Sequence, residues 1–275
     1  MIWWIISSTI SGIYLPLTLG SASASCGPWG MPAWSRSRKQ TLSSGFKPPS
    51  GWALPIKNQG PSNKLDSPQA VGYYKIMNKK EAKEITGGLS VPSKMPGPAY
   101  NLPAAACITG AKLVKVPGSV CAGCYALKGR YRFPNVQAAL NRRLKSLTHP
   151  QWIPAMVVLI DNVPFFRWHD SGDLQGAWHL TNIFEVCKRT PETSHWLPTR
   201  EAGMLKLMDP DIIPTNLIIR LSGHMIDGKN STFWPWTSSV SSQGKTCPAL
   251  DQGNSCRDCR ACWDRSVSNV TYPKH

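Results

Sequence analysis

The chain has 275 residues and a formal net charge of +16; 41% of it is apolar, and it holds nine Cys, twelve Trp and 24 Pro. That length admits one large domain or two small ones. The absence of a glycine period, a heptad run or repeated long apolar stretches excludes collagen-like, coiled-coil and multi-pass membrane classes. The excess of 31 basic over 15 acidic residues favours an anionic partner.

The charge is uneven. Residues 1–76 carry seven Lys or Arg and one acid, Asp66, a balance of +6; residues 77–275 carry the other +10. The apolar stretch Ile2–Leu19 is interrupted by Ser, Thr, Gly and Pro, and is too weak for a membrane span. Ser21–Ala24 has the small residues of a cleavage site, but no Lys or Arg precedes Arg36, so the basic start of an export signal is missing. Residues 35–76 read as loop, with Pro48, Pro49, Pro55, Pro61 and Pro68 as breakers. Residues 1–76 are therefore expected to be a leader, disordered or foreign to the native domain. The working protein is expected to begin near Met77, followed by an α/β domain to residue 240 and a Cys-rich module over 241–275.

After Met77 comes the first cysteine group: Cys107, a gap of thirteen residues, and a CxxC at Cys121 and Cys124. A CxxC places two thiols close enough to share one metal. Three thiols leave a fourth position open, for substrate or cofactor on a cluster, or for His or water on zinc. The competing reading joins Cys121 and Cys124 to the C-terminal cysteines in one zinc ribbon and leaves Cys107 idle. A basic stretch follows at Lys128, Arg130 and Arg132. Phe133–Leu147 has helical spacing, with Arg142, Arg143 and Lys145 on its polar face. That face is either solvated or a phosphate contact. Gln151–Asn162 is expected to be a second helix.

A strand–helix alternation comes next: strand Pro164–His169, helix Leu174–Arg189, strand Thr193–Leu197, short helix Ala202–Met208, strand Asn216–Leu221. This pattern predicts an α/β fold with a parallel sheet, open or forming part of a barrel. Cys187 falls on the apolar face of the long helix and reads as a buried small hydrophobe. His169 reads as packing. The polar residues gather at the expected strand ends, the edge where α/β folds bind ligands. Asp173, Arg200 and His224 are the candidate catalytic residues, able to move a proton and hold an anion. Ser171, Thr199 and Glu201 are candidate cofactor contacts. Capping and turn roles compete for Ser171 and Asp173. No P-loop, GxGxxG, HExxH or GxSxG occurs.

The second cysteine group is Cys247 followed by CxxCxxC at Cys256, Cys259 and Cys262. Four thiols suffice for one closed site. Three evenly spaced Cys favour an iron–sulfur cluster, with zinc as the alternative.

The stretches SKMPGPAYNL (93–102), VPGSVCAGCYALKGRY (116–131), RWHDSGD (167–173) and the terminal CxxCxxCW (256–263) resemble the gene product 88 domain family of phages and prophages. The resemblance covers about residues 77–265 and none of 1–76. It implies a phage or prophage setting in the cytoplasm of a bacterial host, and implies no reaction. Together these readings lead to three expectations. The first is an iron–sulfur enzyme, with S-adenosylmethionine as a candidate cofactor at the three-Cys site, acting on an anionic small molecule, nucleotide or nucleic acid. The second is a zinc-stabilised nucleic-acid-binding protein without catalysis. The third and least favoured is a secreted disulfide protein. No stable membrane partner is expected.

Overall fold

The computed structural model describes residues 77–274, which lie within one compact unit. The expectations for residues 1–76, Cys26 included, lie outside the described residues. Six strands form one sheet: β1 Ala99–Tyr100, β2 Phe165–Trp168, β3 Ser194–Thr199, β4 Leu217–Ile226, β5 Thr237–Ser241 and β6 Asn269–Pro273. Every neighbouring pair is parallel, and spatial order equals chain order, with β1 and β6 at the edges. The fold is α/β, as the βα alternation predicts.

Among the described residues, six α-helices accompany the sheet: α1 Lys79–Thr86, α2 Ile108–Leu113, α3 Pro134–Ser146, α4 Trp152–Ile160, α5 Ala177–Arg189 and α6 Ala202–Leu205. Asn78 caps α1 by accepting from the Glu81 amide, and Gly87 ends it in the left-handed region at φ 76°. Strands added in chain order with crossovers of one hand put their helices on one face. The core shows that arrangement. Phe166 and Trp168 of β2, Leu197 of β3, and Leu217, Ile219 and Leu221 of β4 pack with Trp152, Met156 and Ile160 of α4 and Ile183 and Cys187 of α5. Each large apolar side chain so buried contributes roughly 1.5–3 kcal/mol. Cys187 is fully buried, as its helical position predicts.

The opposite face carries Arg167, Trp196 and Arg220, and the C-terminal segment covers it. Trp263 Nε1 donates to the Phe166 carbonyl at 3.0 Å, and its ring meets Trp196 at 5.1 Å. The 241–275 segment also supplies β6, so it shares the sheet with the rest of the unit.

Three boundaries differ from the sequence reading by three residues or more. The helix expected from Leu174 starts at Ala177, because Asp173–Gly176 is spent as a loop ending at Gly176, φ 143°. The helix expected to reach Met208 stops at Leu205. The third strand continues past Leu221 to Ile226, so Ser222, Gly223 and His224 are strand rather than loop. That extension is held by Gly118 and Ser119: Ile226 N donates to the Gly118 carbonyl at 3.0 Å, and Ser119 bridges Met225.

Candidate functional site

The first cysteine group sits at the C-terminal ends of β2, β3 and β4. Cys107 immediately precedes α2, whose first turn is anchored by Glu201: the Thr109 amide and hydroxyl donate to its two carboxylate oxygens at 2.9 and 2.7 Å. Cys121 lies in a 3-10 turn, Val120–Gly123, capped by the Ser119 hydroxyl. The bridge between Ser119 and Met225 ties that turn to the end of β4. Gly110 lets the two segments meet. A Cβ placed there would lie 3.5 Å from Cys107 Sγ and 3.7 Å from Cys121 Sγ, so both sulfurs converge on one small volume. Burial pushes the Cys107 thiol up to about 12, with the charges of Asp173, Cys124 and Cys121 adding to the shift and Arg200 opposing it. Burial likewise raises Cys121, against the pull of Arg200. The three thiols, Asp173 and Arg200 therefore share one electrostatic environment.

Asp173 is buried and accepts three hydrogen bonds: from Leu174 N at 2.8 Å and Thr199 Oγ1 at 2.6 Å on one oxygen, and from Arg200 N at 2.9 Å on the other. Burial outweighs those donors and pushes its carboxyl up to about 6. Thr199 also accepts from the Glu201 amide. Arg200 Nε donates to the Gly223 carbonyl at 3.3 Å, and His224 Nε2 meets the Arg200 carbonyl at 3.1 Å. So Asp173, Thr199, Arg200, Glu201 and His224 are brought together. Ser171 is turned away from them and gives its hydroxyl to the Leu102 carbonyl. Thr199 and Glu201, read as cofactor contacts, use their side chains to fix Asp173 and α2.

The second group is organised from below by β4. Arg220 donates to five backbone carbonyls: Cys262, Thr237, Val267, Ala261 and Asp264. Cys262 Sγ meets Tyr272 OH at 3.1 Å, and burial lifts its thiol to about 11. The charge of Cys247 acts on both Cys256 and Cys262, and that of Cys259 on Cys256, so the four thiols are neighbours. All eight described cysteines are free thiols. Among the described residues, no group of three or more His, Cys, Asp or Glu side chains is disposed to hold a metal ion. Both cysteine groups are thus clusters of thiols without a formed metal geometry.

A chain of contacts runs between the two groups. Tyr125, next to Cys124, donates through its hydroxyl to Asp170, as does Tyr131. Asp170 pairs with Arg167 at 2.8 Å, and the Arg167 guanidinium lies 4.5 Å from the centre of the Trp196 ring, which meets Trp263 beside Cys262. Asp170 belongs to the strand-end polar set that the sequence marks; sequence reasoning passed over Arg167, Arg220 and Gly110. The RWHDSGD stretch contains the first and is the available signal; nothing local marks the other two.

These features define an α/β protein of sequentially ordered parallel strands, with a thiol-rich, carboxylate- and guanidinium-lined site at the strand ends. The chain belongs to the gene product 88 family, whose model matches residues 74–265. No curated protein and no solved structure matches it. No helix among the described residues is long and apolar enough to cross a membrane.

Proposed function

We propose that this gene product 88 protein is a cysteine-ligated metalloprotein, an iron–sulfur enzyme acting on a nucleotide or nucleic-acid-related substrate. The observation that carries the reading is the convergence of the Cys107 and Cys121 sulfurs beside Gly110, with Cys124, Asp173 and Arg200 in the same field. Crowded thiols of raised pKa suit a cation: ligation deprotonates them, and the bound charge offsets their repulsion. Cys107, Cys121 and Cys124 would hold one group with an open position, and Cys247, Cys256, Cys259 and Cys262 would close a second. S-adenosylmethionine is the candidate cofactor for the open position.

The chain's own residues have separable roles. Arg200, tethered through Nε alone, offers its terminal nitrogens to a carboxylate or phosphate. Asp173, with its raised pKa, exchanges a proton near neutral pH. His224 and Thr199 hold the β3 end on which Arg200 rides. Membership of this phage family supports an activity in the cytoplasm of a bacterial host.

Metal and sulfide analysis of anaerobically purified protein tests this. Iron with matching sulfide and absorbance near about 400 nm is expected. Colourless protein with stoichiometric zinc would overturn it. That outcome would instead support a second reading, a zinc-stabilised nucleic-acid-binding protein. Arg220 favours this second reading, because a loop fixed through four of its backbone carbonyls suits a closed structural site.

A further inference from the structure

Residues 85–160 contain nine Lys or Arg and no Asp or Glu. Eight of the nine are exposed, Arg143 being the buried one, and none of them enters an ion pair among the described residues. A folded segment without carboxylates and with unspent cations is an electrostatic footprint for a polyanion. Apolar side chains are interleaved with the charges on the same stretch: Ile108, Val114, Tyr125, Leu127 and Phe133 are all exposed.

One part of this surface is shaped. A shallow, solvent-open hollow of about 470 Å³ beside Cys124 is lined by Tyr125, Lys128, Arg130 and Tyr131, with Gly123 and Gly129. The two tyrosine rings meet edge to face at 5.7 Å. Both hydroxyls are tied to Asp170, whose charge is matched by Arg167 at 2.8 Å. The rings are therefore held in place before any ligand arrives, and Tyr125 still exposes 42% of its surface. Fixed aromatic rings flanked by cations are how proteins grip unstacked bases and their phosphates. A duplex keeps its bases stacked inside and cannot use such rings.

We infer that single-stranded nucleic acid binds along the 108–145 surface, with a base in the hollow of Tyr125 and Tyr131 and its phosphates on Lys128 and Arg130. The inference names the substrate class for the cysteine site proposed above, and rests on that reading only for what happens after binding. It brings a nucleotide to the side of Cys124, within reach of the strand ends.

The test is fluorescence anisotropy with a labelled twelve-residue oligothymidylate over a salt series, and metal analysis on the same samples. The wild type should bind with an affinity that falls steeply with salt. Lys128→Gln/Arg130→Gln should weaken binding at least about tenfold and make the log–log salt slope shallower by roughly 1.4, about 0.7 per lost phosphate contact. A control pair on α5, Lys188→Gln/Arg189→Gln, should change it less than about twofold, and both variants should keep the wild-type thermal transition. An abasic oligomer and a duplex of equal length should each bind markedly more weakly. Equal loss in the control pair, equal affinity for the duplex or the abasic oligomer, or no salt-dependent binding would each overturn the inference. Oligonucleotide binding by metal-free protein would leave it standing and remove the metal reading; metal without oligonucleotide binding would do the reverse.

Discussion

Arg220, in the middle of β4, donates from Nε to the backbone carbonyl of Cys262 at 3.1 Å. A side chain from the sheet thus sets the path of the cysteine loop through its main chain, leaving the thiols available. The same guanidinium serves four further carbonyls. Arg220→Met would strand those acceptors in a buried place, at roughly 3–5 kcal/mol. The expected result is a drop of about 10 °C in the thermal midpoint, with Arg220→Lys recovering part of it. A shift below about 2 °C would show that the loop holds its shape without the guanidinium.

Gly110 is the second point of leverage. A Cβ there would lie 2.9 Å from Cys107 Cβ and within 3.7 Å of both sulfurs. Gly110→Val should abolish metal loading at the first cysteine group and spare the second, so total iron per chain should fall by about half. Inductively coupled plasma analysis reads this directly. Unchanged iron would mean the two sulfurs do not share an ion.

Asp173 makes stability depend on pH. Its carboxyl titrates near 6 in the folded protein, against 3.8 in the unfolded chain, because burial disfavours its charge. The folded state therefore holds the proton more tightly. The stabilisation from the protonated form is fully present below about pH 4 and lost as pH rises through 6. Relative to Asp173→Asn, the wild type should lose roughly 2–3 kcal/mol across that window and then level off. Urea titrations of both proteins from about pH 3 to about pH 8, which takes in both values, measure it. Parallel curves would contradict the buried carboxylate.

His169 behaves in the opposite sense. It has φ 74°, is buried, and bonds through Nδ1 to the Tyr100 carbonyl at 2.7 Å, so Nδ1 carries the proton. Burial lowers its pKa to about 4. The folded state binds fewer protons than the unfolded one between about pH 4 and 6.5, and the stability this residue provides is lost as pH falls through 4. Nitrogen-15 spectra should show the Nδ1–H tautomer at pH 6. An imidazolium signal there would refute the assignment.

Gly172 needs its lack of a side chain. At φ 83°, an added Cβ would lie 2.5 Å from Leu102 Cβ and 2.9 Å from its backbone. Gly172→Ala should cost about 2–4 kcal/mol in thermal or urea unfolding, while Gly203→Ala, inside α6 with open space around it, should instead stabilise by about 0.4–1 kcal/mol.

The parts of the fold that bury an apolar period were legible. Phe166 with Trp168, Leu180 with Ile183, Phe184 and Cys187, and Leu217 with Ile219 each declare a face, and their elements fall where the periods place them. Three strands escaped notice: β1 is buried but only two residues long, too short to show a period, and the other two lack such a face. β5 is Thr237–Ser241, nearly all hydroxyl residues, and β6 has one buried apolar position, Val270. They are strands because neighbouring backbone pairs with them, which local pattern does not encode. The strand-end residues of the site were readable as a set. Their partners were not: Asp173 to Arg200 and Glu201 to Thr109 join positions 27 and 92 residues apart. His224 was read as lying beyond its strand because Ser222 and Gly223 look like a turn; the bridge from Ser119 keeps them extended.

Sequential strand order has a consequence for how the molecule assembles. Each new strand has its partner already waiting at the growing edge, so the sheet can be laid down in the direction of synthesis with no earlier gap left to fill. Such a sheet tolerates the gain or loss of a βα unit at an edge, because no other connection has to be rethreaded. Variation in length among related chains should therefore concentrate at the β1 and β6 sides, while the β2–β4 centre that frames Asp173 and Arg200 stays constant in register.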